Sequence, residues 1–380
     1  MEDMTARIGR TIAERKLATS DSAVLLMVSG GSDSVALAYI AADLAKAGVL
    51  GDLAMLHVNH QLRGQASDDD QAFVQKIAEL LQIPLYMCEI DIAAEAQRSG
   101  GNVEAIARHE RYLAANEALE SFCLHAGVPL AEGRICTAHT QDDRVENFYM
   151  RSIVGTGPGG FRSMLYANGP VVRPCLDASK EDLRTSISQR VEAGLPVAYD
   201  GIGNLWREDA TNAHTDRFRA FVRHEIVPLA AKRNPQLLET LCRTMNLIAD
   251  EDDMLDAQAA TLQDECVAWA DGSEQRIDYG AGCVLAPALG QAALPLQRRV
   301  VVAVLQRMLG LDARIETASV DAVCAGFVQG APLGGYTNNI QGDLAISANK
   351  NGVRLEPMAA YRARRKGVAP LEQEEGSACE

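Results

Sequence analysis

The sequence lacks any apolar run near the roughly 20 residues that a membrane-spanning helix needs. Its first residues, MEDMTARIGRTIAERK, form a charged helical pattern without the apolar stretch of a secretory signal. Both absences predict a soluble, cytoplasmic protein. There is no C-x-x-C pair either: nine cysteines are scattered from Cys88 to Cys379, several in apolar runs such as Arg134-Ile135-Cys136-Thr137. That spacing argues against a zinc site, an iron–sulfur cluster or disulfides, and it predicts buried free thiols. Positive charge is scarce, with 36 Lys and Arg against 51 Asp and Glu and a net charge of −15. Phosphate contacts need Lys and Arg, so any nucleic-acid surface on this chain must be a local patch. Two such concentrations exist, Arg362-Ala363-Arg364-Arg365-Lys366 and a stretch from Arg207 to Arg233 with five arginines. No internal repeat is visible.

The N-terminal half alternates apolar runs with helical periodicity. AVLLMVS (23–29) reads as a strand buried on both faces of a parallel sheet. The following helix, 34–47, carries Val35, Leu37, Ala38, Ile40, Ala41 and Leu44 on its apolar face. LAMLHVN (53–59), PLYMCEI (84–90) and RICTAHT (134–140) read as further strands, followed by helices at 68–81, 103–123 and about 142–153. Four β-α units in succession predict an α/β fold with a doubly wound parallel sheet and right-handed crossovers. The pattern breaks at the glycine-rich 155–160, after which Ser179 is suited to cap a short helix. From Pro228 the chain reads as mainly helical, with a short β segment near 342–355. The expected organisation is a catalytic domain over 1–228, a helical domain over 229–312, a small α+β region over 313–368 and a disordered acidic tail over 369–380.

The first predicted strand runs into Ser29-Gly30-Gly31-Ser32-Asp33-Ser34. Glycines allow close approach of a ligand to the backbone, serines add hydroxyl donors, and the helix that follows points its N–H groups and dipole at an anion. The loop has neither the Lys of a Walker motif nor the spacing of G-x-G-x-x-G. It looks like the pyrophosphate-binding loop of ATP-dependent adenylating enzymes, in which Asp33 would help hold Mg2+ against the phosphates. Three further segments fall where such a sheet places its ligand. His57-Val58-Asn59-His60-Gln61-Leu62-Arg63 ends the second strand; Arg108 and Arg111 lie on one face of the helix that Asn102 introduces; and His139-Thr140-Gln141-Asp142-Asp143-Arg144-Val145-Glu146-Asn147 leads from the fourth strand into its helix. Asp142 and Glu146 share a face there, though carboxylates at a helix start also complement its dipole.

With S-G-G-S-D-S, H-V-N-H-Q-L-R, N-V-E-A-x-A-R-x-x-R-Y and T-A-H-x-x-D-D in this order, the sequence resembles the tRNA(Ile)-lysidine synthase family of the PP-loop ATP pyrophosphatase superfamily. R-E-D-A-T-N (207–212) and R-H-E-I-V-P-L (223–229) extend the likeness, which is strong from about 20 to 230. The resemblance implies a ligase that uses ATP and Mg2+ to adenylate the wobble cytidine of tRNA(Ile) with a CAU anticodon, and then joins free L-lysine to carbon 2 of that base. It implies ATP binding by Ser29, Gly30, Gly31, Ser32, Asp33, Ser34, His57 and His139. Catalytic roles fall on Asp33, Arg108, Asp142, Asp143 and Glu146, with the last three toward the lysine amine. Contacts to tRNA fall on Arg217, Arg219, Arg223, Arg362, Arg364, Arg365 and Lys366, and no obligate protein partner is implied. The chain departs from the family pattern at Thr140, Arg144, Asn147 and Ala220. Alternatives are a tRNA thiolase of the same superfamily, disfavoured by the missing cysteine pairs, and a non-catalytic ATP- or RNA-binding relative.

Overall fold

The computed structural model describes residues 3–61, 64–100, 103–208, 218–270, 272–273, 276–277, 279–311 and 313–366. Arg217 and the expected tail at 369–380 lie outside the described residues. The chain divides into two compact units, Met1–Ala249 and Asp250–Glu380.

The first unit begins with α1 (Met4–Glu14), β1 (Ala23–Met27), α2 (Ser32–Lys46), β2 (Leu53–Asn59), α3 (Gln65–Leu81) and β3 (Leu85–Glu89). It continues through α4 (Ile92–Ser99), α5 (Val103–Ala126), β4 (Gly133–Cys136), α6 (Gln141–Val154), α7 (Pro158–Phe161), β5 (Ala167–Asn168), β6 (Val171–Val172) and α8 (Lys180–Glu192). The strands form one sheet in the order β3-β2-β1-β4-β6-β5, parallel except for the β5–β6 pair. The doubly wound expectation is met, and its physical basis is visible in β1. Val24 and Leu26 enter a core with α2, α3 and α8, while Ala23 and Leu25 enter a second core against Ala115, Leu119 and Phe122 of α5. A strand buried on both faces has no polar side, which is why its sequence runs apolar without alternation. Chain order reverses beside β1, with β2 on one side and β4 on the other, and that switch point opens a crevice at the carboxyl ends of the strands.

Ser179 caps α8 as expected, its hydroxyl accepting from the Asp182 N–H at 3.0 Å. Further on, α9 (Phe218–Phe221), a π-helical turn over Val222–Ile226 and α10 (Val227–Arg233) follow one another, and α11 (Leu237–Cys266) is the longest described helix. Leu237, Cys242 and Met245 of α11 pack on Val145 of α6.

In the second unit a five-stranded antiparallel sheet lies against two helices. Its order is Thr337–Ile340, Leu344–Asn349, Gly352–Pro357, Cys283–Leu285 and Val267–Trp269. Val300, Val301, Val304 and Leu305 from Leu294–Leu309, with Val320 and Val323 from Thr317–Cys324, share a core with Leu285, Ile346, Val353 and Leu355. The sequence reading treats 229–312 as helical, whereas Val267–Trp269 and Cys283–Leu285 are strands. Three residues are too few to display a period of two, and Cys283 finds its partner at Leu355, far along the chain.

Candidate active site

The loop after β1 is held by its own serines. Ser34 Oγ donates to Gly31 O at 3.0 Å and accepts from Ser29 N at 3.2 Å, closing the turn beneath the N-terminus of α2. Gly30 has φ +90°, a left-handed conformation that disfavours a side chain, and its carbonyl accepts from Arg207 N at 2.9 Å. Arg207 is anchored in turn by Asp70 at 2.8 Å and Asp200 at 3.3 Å, so the 204–208 segment straps the loop from outside. The R-E-D motif start thus acts on the loop, although Asp209 to Asn212 lie outside the described residues.

The loop opens into a cavity of about 1040 Å3. The structure brings Ser29, Gly31, Ser32, Asp33, Ser34, His57, Arg108, His139, Asp142, Glu146 and Arg223 onto its wall, drawing on every motif segment. Gly30 shapes the loop from behind. His57 Nδ1 donates to Val28 O at 2.9 Å, tying the end of β2 to that of β1 and leaving Nε2 as the available nitrogen. His139 Nδ1 lies 2.9 Å from Thr137 Oγ1, and burial pushes its pKa down to about 4. Both imidazoles are neutral polar groups at physiological pH. Arg108 lies over the ring of Tyr112 with its guanidinium carbon 5.2 Å from the centroid.

The carboxylates differ in how free they are. Burial raises the pKa of Asp33 against the pull of Lys180, and burial likewise raises Asp142 even though its Oδ2 accepts from Lys180 N at 2.9 Å. Asp33 is further raised by the nearby charges of Asp143 and Asp142. Asp33, a desolvated carboxylate at the start of α2 beside the loop, suits a divalent cation shared with phosphate oxygens. Among the described residues no group of three His, Cys, Asp or Glu is gathered as a metal cage, and Mg2+ typically asks for only one or two carboxylates beside its phosphates.

Asp143 and Glu146 are already engaged. Asp143 Oδ2 accepts from the Thr140 N–H at 2.9 Å and the Thr140 hydroxyl at 3.0 Å, and its Oδ1 lies 2.8 Å from Arg219 Nη2 and 3.4 Å from Lys180 Nζ. Burial works to raise this acid, but Lys180 and Arg219 outweigh it and hold it near 2. Glu146 accepts from Arg219 Nε at 2.8 Å and from Arg223 Nε at 2.6 Å. The two arginines, four apart across the start of the π-helical turn, converge on one acid. Arg219 and Arg223, expected to contact tRNA, pair in the structure with the carboxylates of α6. Asp143 does not line the cavity; its role in the structure is to cap α6 and anchor Lys180 and Arg219.

Three of the four positions that depart from the resemblance have local explanations. Thr140 is fully buried as the N-cap of α6. Arg144 is also buried and reaches Asn246 Oδ1 at 2.8 Å, Tyr166 Oη at 3.3 Å and Asp177 Oδ1 at 3.6 Å, linking α6 to α11. Asn147 Oδ1 accepts from Arg151 Nε at 3.0 Å on the outer surface. Nothing in the structure explains Ala220.

Sequence reasoning missed Lys180 and Arg184, both on the cavity wall. Lys180 sits at the first turn of α8 between Asp142 and Asp143, and Arg184 Nε donates to Ser32 Oγ at 3.3 Å. The signal available was the Ser179 cap, which marks a helix N-terminus whose first charged residue is Lys180. In the second unit Arg364 is bound to Glu356, a buried acid, and to Ser347 Oγ at 3.1 Å, which leaves Arg362, Arg365 and Lys366 exposed on Met358–Lys366. None of the eight described cysteines lines the cavity, and burial raises every one of their pKa values, that of Cys136 to about 12. No described helix is long and apolar enough to cross a membrane.

A family model described as the PP-loop domain matches residues 2–230. The tRNA(Ile)-lysidine synthase of Porphyromonas gingivalis is 33% identical over 244 residues, covering 63% of this chain and 48% of that protein. The enzyme of the same name from Thermus thermophilus is 35% identical over 245 residues, covering 64% and 42%. The chain spans about half the length of the curated relatives it matches. A solved structure, the U34-tRNA thiolase NcsA from Methanococcus maripaludis, superposes with a TM-score of 0.45 at 16% identity, over 64% of this chain and 78% of that one.

Proposed function

The chain belongs to the PP-loop domain family, and from that premise we propose that it ligates lysine to carbon 2 of the wobble cytidine of tRNA(Ile) with a CAU anticodon, giving lysidine, AMP and pyrophosphate. The observation that carries this reading is the convergence of all four motif segments on one cavity at the carboxyl ends of β1, β2 and β4. The N–H groups at the start of α2, with Lys180 and Arg184, receive the phosphates of ATP. Asp33 would hold Mg2+, which when bound neutralises phosphate charge. In the first step the cytidine carbonyl oxygen attacks the α-phosphorus and pyrophosphate leaves. In the second, the lysine ε-amine attacks carbon 2, gives up a proton, and AMP departs with the former carbonyl oxygen.

Asp142 suits the proton-accepting role, because burial lifts its basicity while it faces the cavity. Glu146 and Arg223, side by side on the wall, match the α-ammonium and α-carboxylate of a free amino acid. Arg108 is left for the nucleotide or the adenylate. RNA contact falls to exposed Arg362, Arg365 and Lys366; neutralising all three lowers the salt slope of tRNA binding by about 2–3, and an unchanged slope removes them from the interface. That no described cysteine lines the cavity supports this reading over sulfur transfer.

The deciding assay supplies the chain with ATP, radiolabelled lysine and the tRNA transcript. Label is expected in the tRNA only when ATP is present. AMP release that requires a sulfur donor and leaves the tRNA without lysine would instead mean a thiolase.

A further inference from the structure

His60 and Arg111 come from two different motif segments, and the scheme above gives neither a task. They meet on the cavity wall, where Arg111 Nη2 lies 3.2 Å from His60 Nε2. A guanidinium only donates, so Nε2 is the acceptor and the imidazole proton resides on Nδ1. That Nδ1–H is buried and finds no acceptor among the described residues. A donor shut away from water without a partner costs stability, so its survival in a ligand cavity calls for an acceptor brought by the ligand. Burial, with Arg111 and His57 adding to it, lowers the His60 pKa to about 4, and the ring is a neutral donor at physiological pH.

The position of the ring narrows the ligand. Lys180 and Arg184 serve the flank of the loop that β4 and α8 form, whereas His60 follows β2 on the opposite side of β1. Val58, Val103 and Tyr112 also line the cavity. An apolar and aromatic wall with one uncharged donor suits a planar base better than a phosphate. We propose that His60, held in its Nδ1–H tautomer by Arg111, donates to an uncharged acceptor, a carbonyl oxygen or ring nitrogen, of a nucleobase bound in the cavity. This rests on the adenylation reading in that both substrates, ATP and the RNA, present such a base.

Two substitutions divide the ring's two contacts. His60→Asn keeps a donor near the place of Nδ1 and loses the acceptor for Arg111; His60→Gln keeps an acceptor toward Arg111 and loses the Nδ1 donor. His60→Gln is expected to weaken binding of either ATP or RNA by about three- to tenfold, the range of one hydrogen bond between uncharged groups, and His60→Asn to recover part of that loss. Weakening confined to ATP assigns the acceptor to adenine, and weakening confined to RNA assigns it to the base that is adenylated. Unchanged affinity for both, or equal losses in the two variants, overturns the proposal. In the 15N-labelled wild-type chain, long-range proton–nitrogen correlations should show Nδ1 protonated and Nε2 bare; the opposite tautomer overturns it without any variant. Should the wild type make no lysine-dependent product, the proposed reaction falls while the tautomer and ATP-binding readings stand by themselves.

Discussion

Replacing Arg144 by Met tests whether this buried arginine holds the site helix in place. The side chain is 1% exposed, and its guanidinium links Asn246 of α11, Tyr166 and Asp177. Removing one member of a buried ion pair costs about 3–5 kcal/mol. Two features reduce that here. The Asp177 side chain is 32% exposed and keeps the Tyr166 hydroxyl at 2.6 Å, so water and Tyr166 replace part of what is lost. Arg144 Nε is also buried without a partner, and Met removes that penalty, worth about 1 kcal/mol. A net loss of about 2 kcal/mol follows, which for a unit of this size lowers the midpoint of thermal unfolding by about 4–8 °C. Calorimetry on the full chain reads the transition of the first unit. ATP affinity should hold, because the phosphate loop belongs to α2, whereas lysine affinity should fall as α6 loosens against α11. A Met variant that melts within 1 °C of wild type would refute the reasoning, since it would mean that the network contributes nothing beyond filling space.

Asp33→Asn is expected to abolish RNA-dependent pyrophosphate exchange while raising the unfolding midpoint of the unliganded chain at pH 7.5. Burial lifts the folded pKa of Asp33 above 3.8, so its ionised form is a net cost above that pKa, and the cost disappears as pH falls through it. The advantage of the variant should therefore shrink on acidification; a lower midpoint at pH 7.5 would contradict it. For His139 the sign is reversed. The folded ring takes its proton only near pH 4, against 6.5 for an unperturbed ring, so acidification across that window protonates the unfolded chain and draws stability away. His139→Gln removes that titration, and its midpoint should decline less steeply between pH 6.5 and 4 than that of wild type. Parallel declines would show that the ring is not held neutral.

The parts of this protein legible in its residues are those governed by short-range rules. A strand buried on both faces must be apolar throughout, a helix at a sheet must repeat near 3.6, and a backbone turned toward phosphate needs Gly30 and hydroxyls at fixed spacing. Hence β1 to β4, α2, the Ser179 cap and the tight turn at 29–34 could be read directly. The strands at 267–269 and 283–285 could not, because their apolar residues are too few to show a period and their partners are remote.

Tertiary structure alone decided how charge is distributed around the site. Arg219 and Arg223 in the sequence are two cations in a basic stretch; in the fold they close on Glu146. Asp142 and Asp143 are adjacent and chemically identical, yet the former faces the cavity with a raised pKa and the latter is held near 2 as a cap. Lys180 enters the site only because α8 delivers its first turn beside α6, and Arg111 fixes the tautomer of His60 from 51 residues further along the chain, a separation that no spacing rule spans. Periodicity reports which face of an element is buried. Pairing between charges depends on through-space distance and desolvation, and these exist only once the chain has folded.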